Sequence, residues 1–251
     1  MNEDLLLRRK LLDTANKAYQ QNIYTYTNFL SISELDTYYQ LLPELSFIHS
    51  EVFGGNPSCE RQVVCFGSSE DFGYEASYPI DCIKVSPLLR KFADELSHRD
   101  FLGAVLNLGI ERSLIGDIII RENTGYIFCI SHISSYIVDN LTKIKHTNVK
   151  CELTEPSTDD FAPQLTVVEI ICASPRIDAV AAGITKLSRS KAVELFRAKK
   201  VFVNGRIMEN NSYSLKPGDI IAIRGCGKYI YDGCGNETRK GRVYIRLQKY
   251  V

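Results

Sequence analysis

Ser188, Arg189 and Lys191 fall within four positions at the head of an amphipathic run, and their types suit the capture of a phosphate. A serine at such a place accepts a backbone N–H of the first helical turn, so Ser188 is expected to cap a helix. Cations in that first turn oppose the helix dipole. Arg189 and Lys191 there imply that an anion is brought to the helix start, where free N–H groups and two cationic side chains together make a phosphate site. More basic and turn residues follow at Lys199, Lys200, Asn204, Gly205, Arg206 and Lys216. As contacts to structured RNA, Arg176 and Arg189 are expected to fork onto phosphates, with Lys191, Lys199 and Lys200 as point charges. Ser188 and Arg206 belong to the same set. The pair Asn204-Gly205 lets backbone approach backbone.

The elements that must position these residues are short. Arg176-Ile177-Asp178 opens an apolar helix running to about Gly183. The Ser188 helix runs to about Lys200, with Ala192, Leu195 and Phe196 on its inner face. Val201–Val203 is a strand, Asn204-Gly205 a type I′ turn and Arg206-Ile207 the return. Pro217-Gly218 turns the chain into a strand over 219–223. A last strand is expected over 241–250, with Arg239, Lys240 and Lys249 on or beside it. Its two-residue period sets Arg242, Tyr244, Arg246 and Gln248 on one face and Val243, Ile245 and Leu247 on the other. Arg242 and Arg246 either extend the basic surface or form a solvated strand face.

The formal net charge of zero hides a division. Residues 174–251 hold 16 Lys+Arg against 6 Asp+Glu, or +10, and residues 1–173 hold 14 against 24, or −10. A basic end on an acidic body is an electrostatic footprint for nucleic acid.

This order of helices, Val-Asn-Gly turn and Lys-Pro-Gly-Asp turn over about 174–225 closely resembles the S-four RNA-binding domain. The resemblance implies that the two helices and the loop at Asn204-Gly205 form one surface holding RNA backbone. Within it Asp178 is expected to orient Arg176 or to cap the helix.

With 251 residues, 45% hydrophobic and 24% charged, the chain has the composition of a soluble protein of two or three small domains. No apolar run approaches the ~20 residues of a membrane span, and the start lacks the charge order of a signal peptide, so a cytoplasmic protein is expected. None of the 8 cysteines forms a Cys-x-x-Cys pair, and with 4 histidines no zinc spacing recurs. The thiols read as small buried hydrophobes, though Cys226 and Cys234 flank a glycine-rich turn and could pair if oxidised.

Upstream, an amphipathic helix is expected over 3–20 and a second over 32–42, opened by a Ser31/Glu34 capping box. Strands follow near 46–53, 61–67 and 82–85, a helix over 97–108, strands at 117–121 and 126–130, a helix over 132–141 and a strand over 149–153. The fold class is α+β. It comprises an N-terminal α+β region (1–76), a middle α+β sandwich (77–153), a linker and leading strand (154–173) and the S-four-type domain (174–251). A polar stretch bracketed by prolines, 154–163, is the linker.

In the middle region Ser97 and Asp100 fit a reciprocal cap and Gly109 a left-handed helix end. His98, Arg99 and Arg112 are left without a local role. With Lys143, Lys145 and Lys150 they are expected to form a second surface facing RNA or a partner. His98-Arg99-Asp100 and Asp71-Phe72-Gly73 imitate protein-kinase motifs, but in the wrong order, with Val105 where an Asn belongs and without the glycine-rich loop.

Phe53-Gly54-Gly55 with Glu60-Arg61, the run from His98 to Gly103, Leu108-Gly-Ile-Glu-Arg112, Gly116-Asp117 and the S-four domain together resemble the YlmH family of bacterial RNA-binding proteins. The resemblance implies a role in ribosome-associated quality control. Its partners would be rRNA and tRNA, the large ribosomal subunit carrying peptidyl-tRNA, and other quality-control factors. A monomer off the ribosome is expected, and the residues themselves predict no membrane span, cofactor, metal or catalytic residue. Two other classes remain open from the sequence. One is an RNA-modifying enzyme, since pseudouridine synthases and some rRNA methyltransferases carry S-four domains. The other is an interaction partner of the division machinery.

Overall fold

The computed structural model describes residues 3–155, 161, 165–238 and 241–250. The chain divides into two compact units, 1–162 and 163–251. In the first, α1 (Glu3–Gln21) leads to β1 (Thr25–Tyr26), α2 (Ile32–Leu41), β2 (Ser50–Phe53), β3 (Val63–Phe66) and α3 (Ser69–Phe72). The three strands form an antiparallel sheet in the order β1-β3-β2. Leu11, Ala15 and Ala18 of α1, at helical spacing, pack on Leu35, Tyr38 and Leu41 of α2 and on Val64 and Phe66. The expected cap is present: Glu34 accepts from the Ser31 N–H at 2.7 Å. The strand expected at 46–53 is shorter, because backbone bonds Leu45 N to Leu41 O and Ile48 N to Leu45 O continue the end of α2 as turns.

The same unit continues with β4 (Ile80–Pro87), α4 (His98–Leu106), β5 (Ile115–Arg121), β6 (Thr124–Ile130), α5 (Ser134–Asn140), β7 (Lys143–Ile144) and β8 (Thr147–Thr154). Its antiparallel sheet runs β5-β6-β4-β8-β7. Without the two-residue β7 this is the βαββαβ arrangement of ferredoxin-like folds. Strand alternation sends Ile83, Val85, Ile127 and Cys129 to the core beneath the helices, with Phe101, Val105 and Ile137. Gly125 is required there, because a Cβ would stand 2.4 Å from the Phe101 ring.

The other face of this sheet is not bare. Phe128 and Ile130 pack with Phe29 and Val63 from before position 77, with Cys82, and with Phe161. The Phe161 ring meets Tyr126 and Phe128 edge-on, at 4.8 and 5.8 Å between centroids. The polar segment read as a linker thus carries one fully buried anchor, Phe161, at 1% exposure. Residues 156–160, 162 and 163 of that segment lie outside the described residues.

The second unit contains β9 (Leu165–Cys172), α6 (Ile177–Thr185), α7 (Arg189–Arg197), β10 (Val201–Val203), β11 (Arg206–Ile207), β12 (Ile220–Ile223), β13 (Gly227–Glu237) and β14 (Val243–Tyr250). Its antiparallel sheet runs β11-β10-β12-β13-β14-β9. Ile177, Val180 and Ala181 of α6 pack with Cys172, Ile245, Leu247, Val201 and Phe196. Three departures from the sequence reading have local causes. The Ser188 helix stops at Arg197 because Lys199 turns left-handed, at φ 52°. The eleven-residue β13 stands where the sequence shows a glycine-rich turn, and its register with β14 shifts between Tyr231 and Gly233 and between Cys234 and Glu237. Cys226 precedes β13 and Cys234 lies within it, and all eight cysteines are free thiols.

Candidate nucleic-acid interface

The centre of the basic module is a carboxylate. Asp178, one residue into α6, is 3% exposed. Its Oδ1 accepts the Ala179 N–H at 2.9 Å. Arg176 donates to both oxygens from Nε and Nη2, at 3.2 and 3.1 Å. Arg189, in the first turn of α7, donates to Oδ2 from Nε at 2.9 Å, with Nη2 at 2.8 Å. One buried negative charge therefore holds two guanidinium groups from two different helix starts. The side chains of Arg176 and Arg189 remain 39% and 51% exposed, so each keeps a face to solvent. A carboxylate under two arginines leaves one net positive charge on a rigid fork, the geometry that suits bidentate phosphate recognition. Arg176 also donates to Ser212 Oγ at 3.2 Å, and Ile177 N to Tyr213 O at 2.9 Å, which ties the α6 start to the 210–215 loop.

The helix cap is as read: Ser188 Oγ accepts the Lys191 N–H, at 3.4 Å. Lys191, Lys199 and Lys200 are exposed, and Lys199 Nζ stands 3.9 Å from Glu209. The Asn204-Gly205 turn has the expected positive angles, φ 51° and 76°. Asn204 does something the sequence reading missed. Its Nδ2 donates to Asp219 Oδ1 at 2.8 Å, and its Oδ1 accepts the Ile220 N–H at 2.8 Å. Asp219, 7% exposed, also accepts from Tyr213 OH at 3.1 Å and Lys216 N at 2.8 Å. The Asn204 amide is therefore a strut of the hairpin, and its contribution to a surface is the exposed backbone of the turn. Lys186, exposed at φ 55° between the two helices, is a further cation of this unit.

Arg246 stands apart. In β14, Ile245 and Leu247 are buried against α6 and Arg246 is exposed, so alternation sets it on the sheet face opposite the helix. There it registers with Glu169 and stands 3.8 Å from Asp232. Arg242 donates its N–H to Thr238 Oγ1 at 3.0 Å just before the strand. Arg246 thus does not share a face with Arg189. Arg239 and Lys240 lie outside the described residues.

In the first unit the six basic residues singled out divide. Arg112 turns inward: its Nη1 donates to Ile115 O at 2.5 Å and to Gly116 O at 3.2 Å. Arg61 converges on the same carbonyl, Nε to Ile115 O at 3.0 Å, and reaches Phe29 O at 2.9 Å. Burial, with the Arg61 charge beside it, brings the Arg112 guanidinium down to about 10. Asp117 accepts the Glu60 N–H at the same place, and burial raises its carboxyl. This cluster joins the chain before position 77 to the β5 strand. His98 is exposed at the α4 start, its imidazole shifted downward by desolvation and then by Arg112. Lys145 is paired with Asp100 at 2.7 Å and Lys150 with Glu152 at 2.9 Å. Arg99 and Lys143 are exposed.

Among the described residues no group of His, Cys, Asp and Glu is placed to hold a metal, and no helix is long and apolar enough to cross a membrane.

Known proteins match parts of this chain. Residues 75–169 match the family described as "Putative RNA-binding domain in YlmH", and residues 176–221 match the S4 domain. A curated relative is the Ribosome-associated protein quality control protein P2 of Bacillus subtilis (strain 168), 26% identical over 163 residues. That alignment covers 63% of this chain and 63% of the relative's length. A solved structure, the cell division protein ylmH from Streptococcus pneumoniae, has the same fold at a TM-score of 0.51 and 23% identity. The match covers 64% of this chain and 96% of that one. The chain thus carries a match to the RNA-binding domain described for YlmH over 75–169 and an S4 domain over 176–221.

Proposed function

We propose that this protein binds rRNA and tRNA on the ribosome without catalysing a reaction. Its target is the large subunit carrying peptidyl-tRNA, and its role is in ribosome-associated quality control. The observation that carries the reading is the fork of Arg176 and Arg189 on the buried Asp178, set in a unit that is strongly basic. The name of the Bacillus subtilis relative supports the ribosomal setting. The RNA contacts in this reading are Arg176, Ser188, Arg189, Lys191, Lys199, Lys200, Arg206 and the backbone of Asn204-Gly205. A weaker second surface comprises His98, Arg99 and Lys143. The protein works in the cytoplasm and is a monomer off the ribosome.

Asp178 also supports a binding role over RNA modification. A pseudouridine synthase needs a reachable aspartate, and Asp178 is enclosed by two arginines and a backbone N–H. The test is co-sedimentation of the full chain with purified large subunits, with and without peptidyl-tRNA, at stepped salt. Tighter binding to the peptidyl-tRNA-bearing particle is expected. Equal binding to both particles would remove the tRNA part. Failure to bind either, or turnover of modified nucleosides, would remove the whole reading.

A further inference from the structure

Residues 1–74 precede both matched domains, yet they carry a groove with the chemistry of a single-stranded nucleic-acid site. The groove runs between one face of α1 and the strand β1, has a volume of about 900 Å³, and is walled by Arg9, Lys10 and Lys17 on the helix, Tyr24 just before the strand and Tyr26 in it. Lys10 and Lys17, seven residues apart, share a helix face and sit roughly 10 Å apart along its axis. Neither has a carboxylate partner among the described residues. The groove's one acid, Asp13, stands 3.9 Å from Arg9, with both side chains more than 70% exposed (82% and 73%). Three cations against one acid on the rim of an otherwise acidic body mark a local positive strip.

The aromatic wall is fixed in advance. Thr25 Oγ1 donates to Thr14 O at 2.9 Å, which fastens β1 to α1. Tyr24 OH donates to Tyr74 O at 2.7 Å and Tyr26 OH to Ser77 O at 3.0 Å, so both hydroxyls are occupied within the protein. The Tyr24 ring is braced edge-on by Phe72 and Tyr74, at 5.3 and 5.1 Å. Tyrosines with tethered hydroxyls have only ring surface left to offer. Ring surface beside a cationic track is how proteins hold unpaired nucleotides, by base stacking along a neutralised backbone.

We infer that the α1–β1 groove binds a single-stranded RNA segment, with Lys10 and Lys17 on phosphates and Tyr24 as a stacking platform. This takes its ligand class from the RNA-binding reading above and adds a site that neither matched domain contains. The probe is a 12-nucleotide oligouridylate carrying 4-thiouridine, with the full-length protein. Photocrosslinks are expected within residues 9–26. Lys10→Gln with Lys17→Gln should abolish those crosslinks and lower the slope of log affinity on log salt by about 1.4, the value for two single-strand phosphate contacts. Tyr24→Leu should weaken binding at least about fivefold and Tyr24→Phe should restore it, the loss of one stacked base. Crosslinks confined to residues 165–250, with binding unchanged by these variants, would overturn the groove and leave the S-four reading standing. Competition by polyglutamate as strong as by unlabelled RNA would overturn it also, because stacking would then contribute nothing. Absence of RNA binding by the whole chain would overturn both readings together.

Discussion

Arg189 reaches back across the helix–helix corner to Asp178, with Nε 2.9 Å from Oδ2, so the first turn of α7 is held by the first turn of α6. This contact explains why a cation can sit at a helix N-terminus, where the dipole disfavours it. The carboxylate offsets the dipole locally and aims the guanidinium. Two variants separate charge from aim. Arg189→Ala with Lys191→Ala removes the two proposed phosphate contacts and should lower the salt slope of RNA binding by about 1.4 to 1.8. Asp178→Asn keeps both arginines, so the slope should stay while affinity falls, read by filter binding across the same salt series. It should also cost about 1–3 kcal/mol of stability in urea, since both arginines are partly solvated and the exposed share of each pair counts for little.

The hairpin strut predicts a change of stability without loss of a direct side-chain contact. Asn204→Ala removes two 2.8 Å hydrogen bonds and places alanine at φ 51°. A loss of about 2–4 kcal/mol is expected from the unpaired Asp219 Oδ1 and Ile220 N–H and the left-handed angle together. RNA affinity measured well below the new melting point should stay within a few fold of the parent. A large drop in affinity with unchanged stability would return the Asn204 side chain to the contact set.

What was legible in the sequence follows from how local each signal is. Ser31/Glu34, Ser188 with its first turn and Asn204-Gly205 are read from neighbours in sequence, and each forms as its chemistry dictates. Alternation in 243–247 likewise gives the buried faces of Ile245 and Leu247. Long-range pairing was not legible. Arg189 to Asp178 spans 11 positions, Asn204 to Asp219 spans 15, and Arg61 to Ile115 spans 54. The same limit applies to charge: Lys145 and Lys150 count as basic surface in a sequence, but their neighbours in space, Asp100 and Glu152, neutralise them.

The Lys145–Asp100 pair has a pH signature. Asp100 accepts from Ser97 N–H at 2.8 Å and Ser97 Oγ at 2.5 Å as well as from Lys145, and these hold its carboxyl down at about 2, with Lys145 the largest cause. A carboxyl with a folded value below its unfolded one stabilises the fold above the unfolded value of 3.8 and loses that contribution as pH falls towards 2. Lys145→Ala should therefore raise the Asp100 value, measured by carboxyl NMR titration, and flatten the stability loss between about pH 4 and pH 2. It should leave RNA binding at neutral pH almost unchanged, because the lysine is already paired.

Phe161 makes the sharpest prediction for the first unit. RNA recognition motifs share the βαββαβ arrangement and stack bases on aromatic rings of the open sheet face. Here Phe161, with 1% exposure, lies edge-on to Tyr126 and Phe128 on that face. The ring covers those two rings, and Phe29 and Val63 pack in the same cluster. Truncation to Phe161→Ala should cost about 3–5 kcal/mol, the usual range for a fully buried phenylalanine. The loss should appear only in the transition of residues 1–162 by calorimetry, with the transition of residues 163–251 unmoved. Phe161→Leu should recover most of it. Should Phe161→Ala instead raise affinity for single-stranded RNA with little loss of stability, the sheet face would be a binding platform that Phe161 merely covers.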